Sequence, residues 1–270
     1  MPLKDKVVII TGASGGIGAA LAEIFSMNNF KLVIAARDNQ KLEIVRKKLA
    51  ARGGEILSVI CDVSKEDDCK MLISETVKRF GRIDVLINNA GISMRALFEV
   101  LDLTVLQKVM AVNFWGTVFC TKYAFPYLLK SQGSIVGISS IAGKKGLPGR
   151  TGYSASKFAM EGFLESVRTE NLKNNLHVLV ACPGFTATDI RINALSEKGV
   201  PQKESPRDEK KMMTPEKVAV RIFKAIINRK RDLVLSGSGK ITLLLNKLFP
   251  SFSDRIVYNH MAKEEDSPFK

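Results

Sequence analysis

Cysteine is scarce and unpatterned in this chain. There are four in 270 residues, Cys61, Cys69, Cys120 and Cys182, and no two form a Cys-x-x-Cys pair. With no secretory signal beside them, the expectation is buried, reduced thiols in a cytoplasmic protein. Long hydrophobic runs are missing too. No stretch reaches the ~18 apolar residues that a membrane span needs, and the opening MPLKDKVVIITG offers an apolar run too short for a signal peptide. Acidic charge is in short supply: 27 acidic residues against 41 basic ones leave a formal net charge of +14. Such a surface favours anionic ligands, nucleic acid or anionic lipid. Yet no basic helix with base-reading spacing, no zinc-finger pattern and no aromatic-studded RNA motif accompanies it. Nucleic-acid binding and a metal centre are therefore not expected. No solenoid repeat and no Pro/Gly/Ser linker divides the chain, so 1–270 reads as one domain.

What is present is an alternation. KVVIITG (6–12), KLVIAA (31–36), EILSVICD (55–62), IDVLINNAG (83–91), SIVGIS (134–139) and HVLVACPG (177–184) are short apolar runs rich in β-branched residues, which read as buried strands. Between them lie segments with apolar residues at helical spacing: 16–29, 38–54, 64–81 with Ser64 as N-cap, two helices across 99–131, and 151–173. The order is βαβ, which implies an α/β fold: a doubly wound parallel sheet with helices on both faces. A seventh strand over 232–237 follows a helix over 214–227, capped by Thr214 with Pro215 in its first turn. Ligands of such sheets bind beyond the carboxyl ends of the strands, at the switch point.

TGASGGIG (11–18) stands at the first strand-to-helix turn. Gly12, Gly16 and Gly18 allow backbone angles and close approaches that side chains forbid. The following helix presents free N–H groups and the positive end of its dipole, which suits a pyrophosphate. NAD-binding sheets often carry an acid at the end of the second strand. Here Ala36 is followed by Arg37, which can clamp a 2′-phosphate that an acid would repel. Ser14 can add a hydroxyl donor, so NADP(H) is expected over NAD(H). Asp62, after the third strand, can contact the adenine amine or cap the next helix, and both readings stay open.

YSASK (153–157) falls in the helix over 151–173, where positions i and i+4 share a face. Tyr153 and Lys157 then project together, and an ammonium beside a phenol favours the phenolate. Ser140 ends the fifth strand, and NNAG (88–91) ends the fourth. Asn113 sits amid apolar residues in mid-helix and needs a buried partner. PGFTAT (183–188) follows the sixth strand.

TGASGGIG, NNAG, Asn113, Ser140, YSASK and PGFTAT, in this order and spacing, resemble the motifs of the short-chain dehydrogenase/reductase family over residues 6 to about 190. The resemblance implies a single Rossmann-type domain with a seven-stranded sheet and a catalytic group of Asn113, Ser140, Tyr153 and Lys157. Tyr153 would be the general acid toward a carbonyl oxygen, and Ser140 would hold that oxygen. Lys157 would bind the nicotinamide ribose and bring the phenol from about 10 to about 7. Asn113 would hold a water that links Lys157 to solvent. The implied cofactor set around the Gly loop is Gly12, Ser14, Gly16, Ile17 and Gly18, with Arg37, Asp62 and Val63. Asn89, Ala90 and Gly91 join it from the fourth strand, Pro183, Gly184, Thr186 and Thr188 from the sixth, and Tyr153 and Lys157 from the helix. A homodimer or homotetramer is expected.

The implied reaction interconverts a small-molecule carbonyl and a secondary alcohol. Substrate choice falls to the segments 92–98, 141–152 and 185–213, whose Met94, Leu97, Phe98, Leu147, Pro148, Phe185, Met212 and Met213 favour an apolar or lipid-like ketone. A 3-oxoacyl carrier-protein or CoA-linked reductase is the alternative, and a non-catalytic dinucleotide sensor or scaffold a third reading. Segment 186–213, in which charges interrupt every apolar run, is expected to be a substrate lid without a core of its own. Segment 240–263 reads as an amphipathic helical extension broken at Pro250. Packing on its own core or on a second subunit is the preferred reading, with peripheral membrane contact as the alternative.

Overall fold

The computed structural model describes residues 5–205, 207–264 and 267–269. Seven parallel strands, β1 (Val7–Thr11), β2 (Lys31–Ala36), β3 (Ile56–Ile60), β4 (Val85–Asn88), β5 (Ser134–Ile138), β6 (His177–Cys182) and β7 (Asp232–Val234), form one sheet in the order β3-β2-β1-β4-β5-β6-β7. The order reverses between β1 and β4, so the crevice for a ligand opens beyond Thr11 and Asn88. The central strands are buried on both faces, and their alternation sorts the core into two layers. Val8 and Ile10 face one side with Leu21 and Phe25 of α1 (Gly16–Met27), Leu42 and Leu49 of α2 (Asn39–Ala50) and Ile222 of α7 (Pro215–Ile227). Val7 and Ile9 face the other, with Leu72 of α3 (Glu66–Phe80), Leu128 of α5 (Gly116–Ser131) and Leu164 of α6 (Thr151–Glu170).

Three local readings change. Ser64 does not cap α3: the cap position is Lys65, and Ser64 instead donates its N–H and hydroxyl to Asp62 Oδ1 (3.1 and 2.7 Å). The two helices expected across 99–131 are one continuous helix. Here α4 (Leu103–Met110) runs through a π turn (Ala111–Trp115) directly into α5. Among the described residues, Leu103–Ser131 is the single helix long and apolar enough to cross a membrane by length and composition. It lies packed against α3 and α6.

Segment 186–213 is not the coreless insert its charges suggested. Ala187 N donates to Met213 O, Leu195 N to Ser93 O, and Arg95 N to Leu195 O. Ala194 and Leu195 are buried, and buried Arg191 pairs with Glu209 at 2.9 Å. Arg191–Glu209 is a tie within the segment, and Arg207 reaches out of it to Glu264 at 2.7 Å. The chain ends in α8 (Gly237–Leu248) and α9 (Pro250–Ala262), with Pro250 in the first turn of α9. Val257 and Met261 of α9 are buried, whereas Ile241, Leu244, Leu248, Phe249 and Phe252 are exposed.

Candidate active site

The β1–α1 turn is built for close approach. Gly12 and Gly16 have φ of +65° and +53°, the left-handed region that glycine enters without strain. At Gly18 the constraint is space, since a Cβ there would lie 2.3 Å from Gly12 O. Asn89 braces the turn, donating from Nδ2 to Thr11 O and Gly12 O at 2.9 and 3.1 Å. The N-terminal end of α1 has no side-chain cap and no acid in its first turn, so its N–H groups and dipole remain for an anion. Thr188 closes the far side, its Cγ2 standing 3.1 Å from where a Gly16 Cβ would be. Glycine backbone and an uncapped helix start together fit a dinucleotide pyrophosphate.

Arg37 is exposed at the carboxyl end of β2. The nearest acid in sequence, Asp38, accepts from Lys41 N at 3.0 Å as the N-cap of α2, and Ser14 is half-buried in the loop. Asp62 accepts from Ser64 in the turn before α3, and α3 has no side-chain cap, so the reading of Asp62 as a helix cap does not hold. Ala90 N, like Asn89 N, donates to Thr11 Oγ1, at 3.1 Å, which fixes the end of β4 to the end of β1. Ile17 lies in the first turn of α1. Val63 packs on the π turn, where Gly116 leaves room: a Cβ there would meet Val63 Cγ2 at 2.7 Å.

Asn113, Ser140, Tyr153 and Lys157 come together as expected, but the partners differ. Asn113 is fully buried in the π turn. Its Oδ1 accepts from Ile92 N (2.8 Å), and its Nδ2 donates to Ile92 O and Ser156 Oγ (both 2.9 Å). Its side chain thus clamps the strand end after β4 to α6. Lys157 Nζ donates to Ile138 O at 2.9 Å, and both Lys157 Nζ and Asn113 Oδ1 lie within 3.4 Å of where a Gly91 Cβ would be. Ser140 caps a 3-10 turn at Ile141–Gly143, its Oγ accepting from Ala142 N at 3.2 Å, and stands close enough to Tyr153 to influence the phenol.

The electrostatics also depart from the sequence expectation. Burial raises the Tyr153 pKa above its ordinary value, opposed by the Ser140 hydrogen bond and the charges of Arg150 and Arg191. Lys157 is not among the largest influences on it. Its Nζ stands 5.8 Å from the ring centroid, and burial lowers its own pKa to about 8. The protein alone therefore holds a neutral phenol, a proton donor rather than a phenolate.

Beside Tyr153 lies an apolar wall of Met94, Ala96, Leu101, Val105, Val109 and Leu195. Met94 belongs there as expected. Phe98 is exposed, and Met213 packs on the α1–α7 core layer, paired with Thr186. Pro183 and Gly184 turn the chain after β6. Thr186 is buried, donating to Gly184 O at 3.2 Å.

Sequence reasoning missed two groups. Glu161, one turn beyond Lys157, accepts from Ser139 Oγ (2.5 Å) and pairs with Lys144 (2.8 Å); the i, i+4 spacing that paired Tyr153 with Lys157 reaches it. Glu264, after α9, is buried among three arginines: Arg207 Nε at 2.7 Å, Arg150 Nη2 at 3.3 Å and Arg95 Nε at 3.5 Å. These belong to the three segments that flank the substrate side, and Arg207 also lies 3.8 Å over the Phe185 ring. No local signal announces that cluster.

The short chain dehydrogenase family model matches residues 6–199. A "Dehydrogenase/reductase SDR family protein 7-like" of Drosophila melanogaster is 35% identical over 276 residues, 99% of this chain and 84% of that protein. An "11-beta-hydroxysteroid dehydrogenase-like 2" of Arabidopsis thaliana is 42% identical over 192 residues, covering 70% of this chain and 61% of that protein. The crystal structure of a short chain dehydrogenase/reductase from Burkholderia phymatum in complex with NAD has a TM-score of 0.85 at 25% identity, covering 93% of this chain and 96% of that one.

Proposed function

The chain belongs to the short-chain dehydrogenase/reductase family, and from that premise we propose that it is an NADP(H)-dependent oxidoreductase acting on an apolar or lipid-like ketone and its secondary alcohol. The observation that carries this is the meeting of Ser140, Tyr153 and Lys157 beside the glycine turn, with Tyr153 against an apolar wall. A bound nicotinamide dinucleotide supplies the hydride. The chain's residues handle the oxygen and the proton. Ser140 donates a hydrogen bond to the carbonyl oxygen and Tyr153 gives it a proton. Lys157, held by Ile138 O, offers positive charge to the tyrosinate that remains. Asn113 keeps Ile92 and α6 in register beneath both. Arg37 and Ser14 select the 2′-phosphate, with Asp38 occupied at the α2 cap.

Residues 186–213 act as the lid, braced internally by Arg191–Glu209 and fastened to the tail by Arg207–Glu264. Exposed Trp115 and Phe158 supply an apolar surface for self-association, and the four buried thiols suit the cytoplasm. A second reading, a 3-oxoacyl carrier-protein or CoA-linked reductase, draws on the +14 charge, which suits an acidic carrier.

A panel of carbonyl substrates read by NADPH consumption tests the proposal. Apolar ketones are expected to be turned over, and Tyr153→Phe to lower kcat by about a hundredfold or more while NADPH binding, read by fluorescence, stays within the parent's range. Undiminished turnover by Tyr153→Phe removes the phenol from the reaction. Preferential reduction of acetoacetyl-CoA moves the assignment to the second reading.

A further inference from the structure

Helices α8 and α9 present an uncovered apolar face. Ile241, Leu244 and Leu248 follow one another at helical spacing on α8 and are 61%, 59% and 58% exposed. Phe249, at the corner, and Phe252, in the first turn of α9, are 59% and 56% exposed. The opposite side of α9 carries its buried residues, Ser253, Val257 and Met261. α9 thus packs by one side, α8 buries only Gly239, and both helices leave large apolar side chains exposed. A contiguous exposed patch of this kind marks a contact surface.

Charge decides what it contacts. Lys240, Lys247 and Arg255 border the patch and are exposed. The two helices carry a single acid, Asp254, and it is tied to Lys145 on the neighbouring loop. A second copy of this chain, meeting the patch across a two-fold axis, would set Lys247 and Arg255 against the same charges on a molecule of net charge +14. An anionic surface meets no such repulsion. Helices with a phenylalanine- and leucine-rich face rimmed by lysine and arginine lie in the boundary of anionic bilayers. We propose that the α8–α9 face docks on an anionic phospholipid bilayer, with Leu244, Leu248, Phe249 and Phe252 in the acyl boundary and Lys240, Lys247 and Arg255 among the headgroups. The inference does not depend on the reaction proposed above.

The full chain is to be sedimented with vesicles of phosphatidylcholine containing phosphatidylserine and with phosphatidylcholine alone, at low and high salt. Its oligomeric state is read in parallel by light scattering without lipid. Sedimentation with the phosphatidylserine vesicles at low salt, released by high salt, is expected. The double variant Phe249→Asp/Phe252→Asp should lose at least about tenfold in partition with an unchanged thermal midpoint. Lys247→Glu, which leaves the apolar stripe intact, should lose about fivefold. Failure of the parent to sediment with anionic vesicles at low salt overturns the proposal, as does equal partition of parent and Lys247→Glu. A parent oligomer that falls to monomers in Phe249→Asp/Phe252→Asp also overturns it, and assigns the face to a second copy.

Discussion

Lys157 has its ammonium buried against Ile138 O, and burial brings its pKa from an ordinary 10.5 to about 8. A lysine whose folded pKa is depressed opposes folding wherever it is charged in both states. The unfolded chain binds the extra proton between pH 8 and 10.5, so stability rises with pH through that window. Lys157→Met should therefore unfold at higher urea than the parent at pH 7, by about 1–3 kcal/mol after the lost hydrogen bond is offset. The gap should close toward pH 10, and turnover should be lost throughout. A pH-independent difference would remove the buried charge as its cause. At the other end of the cofactor crevice, Arg37→Asp should lower the ratio of kcat/KM for NADPH over NADH about tenfold or more, the weight of one charged hydrogen-bonding group. A parent that already uses both coenzymes equally would sink the reading of Arg37. Tyr153 and Lys157 were legible in the sequence because one helix carries both, four residues apart. The partners of Asn113 were not, since Ile92 lies on another element and Ser156 is separated from Asn113 by 43 positions.

Among the elements, the central strands were legible because their apolar, β-branched runs are buried on both faces. The α7 start was legible in Thr214 and Pro215, and Thr214 Oγ1 does accept from Lys217 N at 3.4 Å. The π turn left no such mark. Asn113 was read in mid-helix and in need of a buried partner, but nothing in the sequence marked that the helix around it widens into a π turn. Thr117 Oγ1 donates to Asn113 O at 2.9 Å, satisfying a carbonyl in the widened turn. If the turn exists to place this clamp, Asn113→Ala leaves Ile92 N and O without their side-chain partner and should cost about 2–4 kcal/mol in urea unfolding. Parental stability with lost activity would instead confine Asn113 to the chemistry.

Over the whole molecule, the least legible contact was Glu264 with Arg150, which spans 114 positions, because ion pairs across such distances leave no periodicity behind. That carboxylate joins the end of α9 to all three substrate-flanking segments. Removing its charge leaves Arg150, deeply buried and already lowered in pKa by burial, without its main compensation. Glu264→Gln should cost about 3–5 kcal/mol and speed hydrogen exchange across 190–204, because Arg207 then lets go of the tail. Unchanged exchange there would separate the tail from the lid. The sheet order has a consequence for synthesis. β1 ends at the centre of the sheet, yet one of its neighbours arrives late: Val7 N donates to Asp84, 77 positions on. Translated at about 5–20 residues per second, the nascent chain can pair β1 with β2, and β2 with β3, while the other edge of β1, apolar from Val7 to Ile10, stays bare for about 4–15 seconds. An open edge of that composition recruits stray strands, and this is the interval that a holding chaperone has to cover.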